Sequence, residues 1–408
     1  MREMKDSGIE WIGEIPSDWG LSKIGAVYEE RNEKVSDADF PPLSVTKQGV
    51  VPQLETAAKT NDGENRKLVK KNDFVINSRS DRRGSCGISE YDGSCSLINT
   101  VLKPRRNMCN AYYSFVFRSE RFADEFYRWG NGIVDDLWST KWSNMKRIYI
   151  PAPSLQEQRR ITDYLDRKCS QIDAIIARQQ EVIKKLKAYR LSVITEAVTS
   201  TDSQMCRFRN CITTIEQGWS PAPAEIVGED GWFVLSLSAV KNGKFNKLSK
   251  KPIDANENIP TQLSIKVGDL LMTRSNTREL VGDVCLVDSD CPKTIFSDLI
   301  YRISLNDTLL PCYAIFLLQS AFIRQQIQES ARGSSGTMPK ISHKSIKNLN
   351  IYLPSIPEQR EISVFLRKKC NYIDTCIQKK ERLIKKLTAY KKSIIYEVVT
   401  GKKRCKDE

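Results

Sequence analysis

The chain has 408 residues, 40% hydrophobic and 28% charged, a globular composition with room for two or three domains. No apolar run approaches the roughly 18 residues of a membrane span, and the opening MREMKDSGIEWIG lacks the apolar core of a secretion signal, so a cytoplasmic protein with no membrane partner is expected. The formal charge of +14 points to a polyanionic partner, but residues 154–200 carry +3 and 355–408 carry +8, leaving +3 for everything else.

In chain order, the first block offers a turn feeding a short apolar strand, Lys71-Asn72-Asp73-Phe74-Val75-Ile76, then a polar, basic loop from Asn77 to Gly84. A helix is expected over Tyr112 to Ser119 and a strand at Ile148-Tyr149-Ile150-Pro151. Next comes Ser154-Leu155-Gln156-Glu157, a capping-box helix start in which the serine hydroxyl and the glutamate each satisfy an orphan backbone N–H. Beyond it, apolar residues recur at helical spacing through Ile172, Ile176, Ile183 and Leu186 to Val198.

The second block repeats this plan. Val267-Gly268-Asp269-Leu270-Leu271-Met272 leads into a basic loop from Thr273 to Gly282, and Tyr313 to Ser320 matches the first block's helix at a shift of 201. Residues 153–199 and 354–400 align at that same shift without a gap and are identical at about half of their positions. The second copy starts at Ser355-Ile356-Pro357-Glu358 and carries Ile373, Ile377, Ile384 and Leu387 on its stripe, with Gly401 as a C-terminal stop.

A helix of roughly 43 residues would run on the order of 65 Å and cannot bury its stripe against itself. Its natural partner is the other copy, in an antiparallel intramolecular coiled coil with pseudo two-fold symmetry and with Lys184-Lys185 and Lys385-Lys386 as flanking charge. Packing of each helix on its own globular block is the alternative, and a hinge at Cys169 to Gln171 would divide the helix. The fold class is thus α+β: two globular α/β domains, 1–152 and 201–353, separated by spacer helices at 153–200 and 354–408, the last including a basic tail.

Two helices kept alike beside two blocks that differ suggest one shared scaffold and two separate reading tasks. Arg79, Arg82 and Arg83 in the first loop and Arg274 and Arg278 in the second are the candidate DNA contacts. Arginine bridges O6 and N7 of guanine or pairs with phosphate. Asn77, Ser78, Thr273 and Asn276 add short-range readout.

Catalytic signals are missing. His343 is the single histidine, read as a polar surface residue, and no nucleotide-binding P-loop occurs. Phe40-Pro41-Pro42-Leu43 is similar to an amino-methyltransferase motif, but Phe40 lacks the required acceptor. The twelve cysteines include no Cys-x-x-Cys pair, so no metal is expected, and Cys169 and Cys370 read as small buried hydrophobes on the helices.

The opening from Ser7-Gly8-Ile9-Glu10-Trp11 to Trp19, the Pro-x-x-x-x-Glu-Gln helix start at 153–158, the matching Glu358-Gln359, the Gly218-Trp219-Ser220-Pro221 start and the two-block, two-helix order resemble the specificity subunits of type I restriction-modification systems. The resemblance covers the whole chain. It implies a non-catalytic subunit whose two target recognition domains each read half of a bipartite, asymmetric site on double-stranded DNA. The helices would set the spacing and dock two methyltransferase subunits, joined by two restriction (motor and nuclease) subunits. No cofactor is expected on this chain; the partners would use S-adenosylmethionine, ATP and magnesium. The unequal helix charges put in doubt whether both helices make equivalent contacts. A protein-interaction scaffold and a self-sufficient nuclease or methyltransferase are the competing readings.

Deleting one helical turn from 172–198 together with the matching turn from 373–399 should change the spacer tolerated between half-sites without changing their sequences. Binding to duplexes of graded spacer length checks this.

Overall fold

The computed structural model describes residues 2–53, 63–132, 138–200, 203–222, 231–254, 257–331 and 338–405. Part of the basic tail, 406–408, lies outside them. The chain divides into two compact units, Met1–Gln179 with Glu381–Glu408, and Gln180–Lys380. These cuts differ from the sequence boundaries because each unit takes one half of each long helix.

In the first unit, β1 (Gly20–Lys23), β2 (Tyr28–Glu30), β3 (Phe74–Asn77), β4 (Cys86–Ile88) and β5 (Asn99–Pro104) precede α1 (Asn110–Arg118) and α2 (Glu120–Arg128), and β6 (Tyr149–Ala152) leads into the first long helix. Four strands form an antiparallel sheet in the order β4-β3-β5-β2, while β6 returns to pair with β1. Phe74 on the sheet meets Phe117 of α1 with ring centroids 5.0 Å apart, the edge-on geometry that aromatic pairs favour.

The second unit repeats the plan. Its strands are β7 (Met205–Arg207), β8 (Ile212–Gln217), β9 (Val240–Lys241), β10 (Lys244–Phe245), β11 (Leu270–Thr273), β12 (Val284–Leu286) and β13 (Ile300–Leu305). They precede α3 (Pro311–Gln319), α4 (Ala321–Ser330), the short α5 (His343–Lys347) and β14 (Asn350–Tyr352). The sheet order β8-β13-β11-β12 is that of the first unit, strand for strand, and β7 pairs with β14 as β1 does with β6.

The turn before β3 in the first unit and β11 in the second is built alike. Asn72 and Gly268 have φ of 75° and 96°, a region that asparagine and glycine tolerate. The following aspartate accepts from a backbone N–H three residues back, Asp73 from Lys70 and Asp269 from Lys266, both at 2.9 Å. Each carboxylate also meets an arginine, Arg31 at 2.6 Å and Arg302 at 3.3 Å.

The long helices run unbroken over Leu155–Thr199 and Ile356–Val399, so no hinge interrupts 169–171. Within the first unit Lys391 pairs with Asp173 at 2.6 Å, and within the second Arg190 lies 3.4 Å from Asp374. In both, the early part of one helix faces the late part of the other, so the pairing is antiparallel. The two contacts are repeat equivalents with partners exchanged: Asp374 corresponds to Asp173 and Lys391 to Arg190. Ile172, Ile183, Ile373 and Ile377 are buried, and Ile176, Leu186, Ile384 and Leu387 are half-buried.

The helices also enter the globular cores, so pairing and packing on a block coexist. Ile161 and Leu165 from one helix and Ile394, Val398 and Val399 from the other join Trp11, Ile15, Trp19 and Tyr112 in the first core. Ile194, Val198, Leu366 and Cys370 join Phe208, Tyr313 and Leu317 in the second. The opening motif is therefore a clamp on the end of the second helix: Tyr396 donates to the carbonyls of Trp11 and Ile12 at 3.1 Å. Gly401, with φ of 74°, leaves no room for a Cβ, which would lie 2.4 Å from Pro16.

The helix starts depart from the expected reciprocal boxes. Ser154 Oγ accepts from the Glu157 N–H at 3.3 Å, but the Glu157 carboxylate goes to Arg2 and Arg160. The glutamine that follows makes the stronger link. Gln158, 4% exposed, accepts from the Cys109 N–H at 2.9 Å and donates to the Pro153 carbonyl at 2.9 Å. Gln359, 0% exposed, does the same with Leu310 at 2.8 Å and Pro354 at 2.9 Å. One buried amide thus fixes the start of each long helix to the start of the helix that covers the sheet.

Gln158→Ala leaves a part-buried N–H and a buried carbonyl unpaired, the buried group alone at about 1–3 kcal/mol. Urea unfolding should show that loss, and Gln359→Ala, which also frees the Thr308 carbonyl, should lose at least as much.

Candidate nucleic-acid interface

The loops that follow β3 and β11 leave equivalent edges of equivalent sheets. In the first, Asn77 is only 9% exposed; its side chain accepts from the Arg79 N–H at 3.0 Å and its own N–H donates to the Ser85 carbonyl at 2.9 Å. Ser78 donates its hydroxyl to the Ile98 carbonyl. In the second, Thr273 is fully buried, donating to the Leu280 carbonyl at 2.8 Å and accepting from the Asp283 N–H at 3.0 Å. Asn77 and Thr273, expected to touch bases, instead staple their loops shut, because a polar side chain at a strand end is the nearest partner for orphan loop amides.

The arginines fall into two groups. Arg79, Arg82, Arg83 and Arg278 are exposed, whereas Arg274 is half-buried and donates to the Asp298 carbonyl at 3.3 Å. Arg82 lies 3.4 Å from Asp81, and Arg83 pairs with Asp124 while stacking over Tyr127 at 5.0 Å. Arg79 and Arg278 make no ion pair among the described residues. Asn276 is half-exposed, its side chain accepting from the Thr277 N–H at 2.9 Å.

Each loop has a neighbour that the sequence reading missed. Arg79 bridges to Ser139, and Ser275 to Lys340, so the segment after α2 or α4 runs beside its loop. Ser139 and Lys340 are related by the repeat shift of 201, the one signal that pointed to them. Exposed Lys141 accompanies the first loop, and exposed Lys340 and Lys344 the second. Between loop and α2 in the first unit lies a cavity of about 20 Å³, lined by Asn77, Arg79, Arg83, Tyr127 and Trp138. In the second unit, Lys340, Ser342, Lys344 and Ser345 line an open groove of about 760 Å³ with Gln326 and Glu329.

His343 is half-exposed, as a surface residue packed on one side. Its ring meets Tyr301 edge-on at 4.6 Å, and burial first, then Lys347 and Arg274, hold it below its usual 6.5, so it is neutral at pH 7. All twelve cysteines are free thiols, and among the described residues no cluster of histidine, cysteine and carboxylates is placed to hold a metal. No helix of the described residues is long and apolar enough to cross a membrane.

Two equivalent units, each presenting a basic loop beside a basic segment, find their match in known proteins. A model of the type I restriction modification DNA specificity domain matches residues 16–185 and 240–389, one span in each half of the chain. This chain belongs to that family. The EcoKI specificity subunit of Escherichia coli K12 is 24% identical over 327 residues, 76% of this chain and 69% of that one. The MjaVIII specificity subunit of Methanocaldococcus jannaschii is 24% identical over 430 residues, 96% and 95% of the two chains. In fold, the chain is similar to one solved in a study of assembly and conformational transition of the type I R-M system, with a TM-score of 0.70, 15% identity and coverage of 94% and 98%. The HsdS subunit of Thermoanaerobacter tengcongensis gives 0.50 at 15% identity over 95% and 98%.

With its folded pKa held down, His343 takes up a proton on unfolding as pH falls through about 6.5, so the folded state loses stability in that window. Between pH 7.5 and 5.5 the unfolding midpoint of His343→Gln should fall less than that of the parent chain, as read by urea titration.

Proposed function

We propose that the chain is the DNA-reading, non-catalytic subunit of a type I restriction-modification complex, each unit taking one half of a bipartite site. The supporting observation is the paired placement of the two arginine loops: same sheet, same strand, same edge, with different residues in each. Equivalent frames present both loops in the same way to a duplex, while their different residues read different bases. Arg79 and Arg278 are the foremost contacts, since among the described residues they have no carboxylate to give up on meeting phosphate or guanine. Arg82 and Arg83 must exchange Asp81 and Asp124 for DNA, which makes their contribution smaller per contact. Arg274 orders the second loop from behind, and Lys141, Lys340 and Lys344 add backbone contacts that carry affinity without sequence.

The long helices act as scaffold and spacer. In this reading they dock two methyltransferase subunits, which bring S-adenosylmethionine, and two restriction subunits, which bring ATP and magnesium; the cofactors bind those partners, not this chain. A coiled-coil interaction protein would share the helices but has no use for two matched, divergent, arginine-bearing loops.

Footprinting on a duplex carrying the site should give two protected patches with indifferent bases between them; a single patch or none refutes the reading. Arg79→Ala and Arg278→Ala should each weaken a different half-site, by about 1–3 kcal/mol where a bidentate base contact is lost. Uniform weakening on all sequences would assign that arginine to phosphate.

A further inference from the structure

The loop at 273–282 is tied to the helix pair by a hairpin. β9 and β10 are joined by Asn242-Gly243, with φ of 53° and 76°, the paired left-handed conformation of a type I′ turn. On one side, the Asn242 N–H donates to Asp283 Oδ2 at 2.7 Å and the Gly243 N–H to the Val284 carbonyl at 3.0 Å. Asp283, 7% exposed, closes the loop: its carbonyl accepts from the Thr273 N–H at 2.8 Å and its N–H donates to Thr273 Oγ1.

On the other side, Lys244 Nζ reaches Asp374 Oδ2 on the second long helix at 2.6 Å, and that carboxylate also faces Arg190 of the first. Arg190 donates to Gln319 Oε1 at 3.3 Å. Gln319 covers the turn: a Cβ on Gly243, whose φ of 76° already disfavours one, would lie 2.3 Å from its Nε2 and force that side chain to shift. Arg324 holds the far end of the loop, donating to the Glu279 carbonyl at 2.9 Å. Burial pushes the Asp283 carboxyl up, against the hydrogen bonds from the Asn242 and Val284 N–H groups and the lesser pull of Arg324 and Arg190.

The first unit has a counterpart hairpin, Leu43–Thr46 with Gly49–Pro52, whose Lys47 carbonyl accepts at 3.4 Å from Arg118, the repeat equivalent of Gln319, but among the described residues no ion pair ties it to the long helices. Its equivalent ion pair, Asp173 with Lys391, stands without a third partner among the described residues, and Ser85 occupies the position of Asp283 in strand register.

We infer that the β9-β10 hairpin is a strut that sets the position of the second reading loop against the helix pair, with Gly243, Lys244 and Asp374 as positioning residues for the half-site read by the second unit. The inference rests on the reading of 273–282 as a DNA-contacting loop. A chain of short contacts, part-buried except at exposed Lys244, leaves the loop one placement, whereas a loop anchored only at its ends samples several and discriminates less between bases.

The test is selection of the full chain against a randomised duplex library, comparing the enriched sequences. The parent chain should return two base blocks, and Arg278→Ala identifies the one read by the second loop. Gly243→Val, Asp374→Asn and Lys244→Met should each lower discrimination in that block by at least about fivefold, leaving the other block unchanged. Asp374→Glu should retain it, and Asp173→Asn should leave it intact. Lys244 is exposed, so its variant remains foldable if Gly243→Val does not. Equal loss from both blocks, loss from the other block, or no change in any variant overturns the strut. A parent chain that returns no pair of blocks instead overturns the DNA-reading assignment beneath it.

Discussion

Everything in this molecule depends on the apolar stripe of two long helices that cannot bury it alone. A single rod of this length with a broad apolar face would aggregate or stay unfolded. Antiparallel pairing covers the middle of each stripe, and the globular cores cover the ends. The result is a chain in which neither block is finished by its own sequence neighbourhood: Val398 and Val399 complete the core begun by Trp11 and Trp19, nearly the whole length of the chain away. The opening motif, which carries no chemistry, is explained by this closure.

Ion pairs specify the pairing more than they stabilise it. Asp173 with Lys391 and Asp374 with Arg190 are the same contact with partners exchanged, as an antiparallel pair of repeated helices requires. The more exposed of the two, Asp173 with Lys391, contributes little stability by itself, about 0–1 kcal/mol. A parallel or shifted arrangement would separate each carboxylate from its cation, so their value lies in excluding the wrong register.

The two units show what repetition leaves free to vary. The sheet order, the Asn72 and Gly268 turns, and the Gln158 and Gln359 links are duplicated because they hold a loop at a fixed edge. The loops themselves are not. Nor is the support behind them: a buried Asp283 and a hairpin tied by Lys244 to Asp374 brace the second, while Ser85, a cavity and a hairpin without such an ion pair among the described residues lie behind the first. Scaffold and reader are thus separated along the chain, and each can change without dismantling the other.

The sequence by itself determined the doubling, the helices, the strand before each loop and the exposed Arg79 and Arg278, because periodicity, capping and repeat spacing are local properties of the chain. It also pointed to the family. What only the tertiary structure decided were the partners of polar groups: that Asn77 and Thr273 turn inward to close their loops, that Glu157 serves Arg2 rather than a capping box, that His343 lies against Tyr301, and that Lys340 stands beside Ser275. Composition shows that a side chain can hydrogen-bond, but which donor it meets depends on segments tens to hundreds of residues apart, and those are brought together only by the sheet edges and the helix pair.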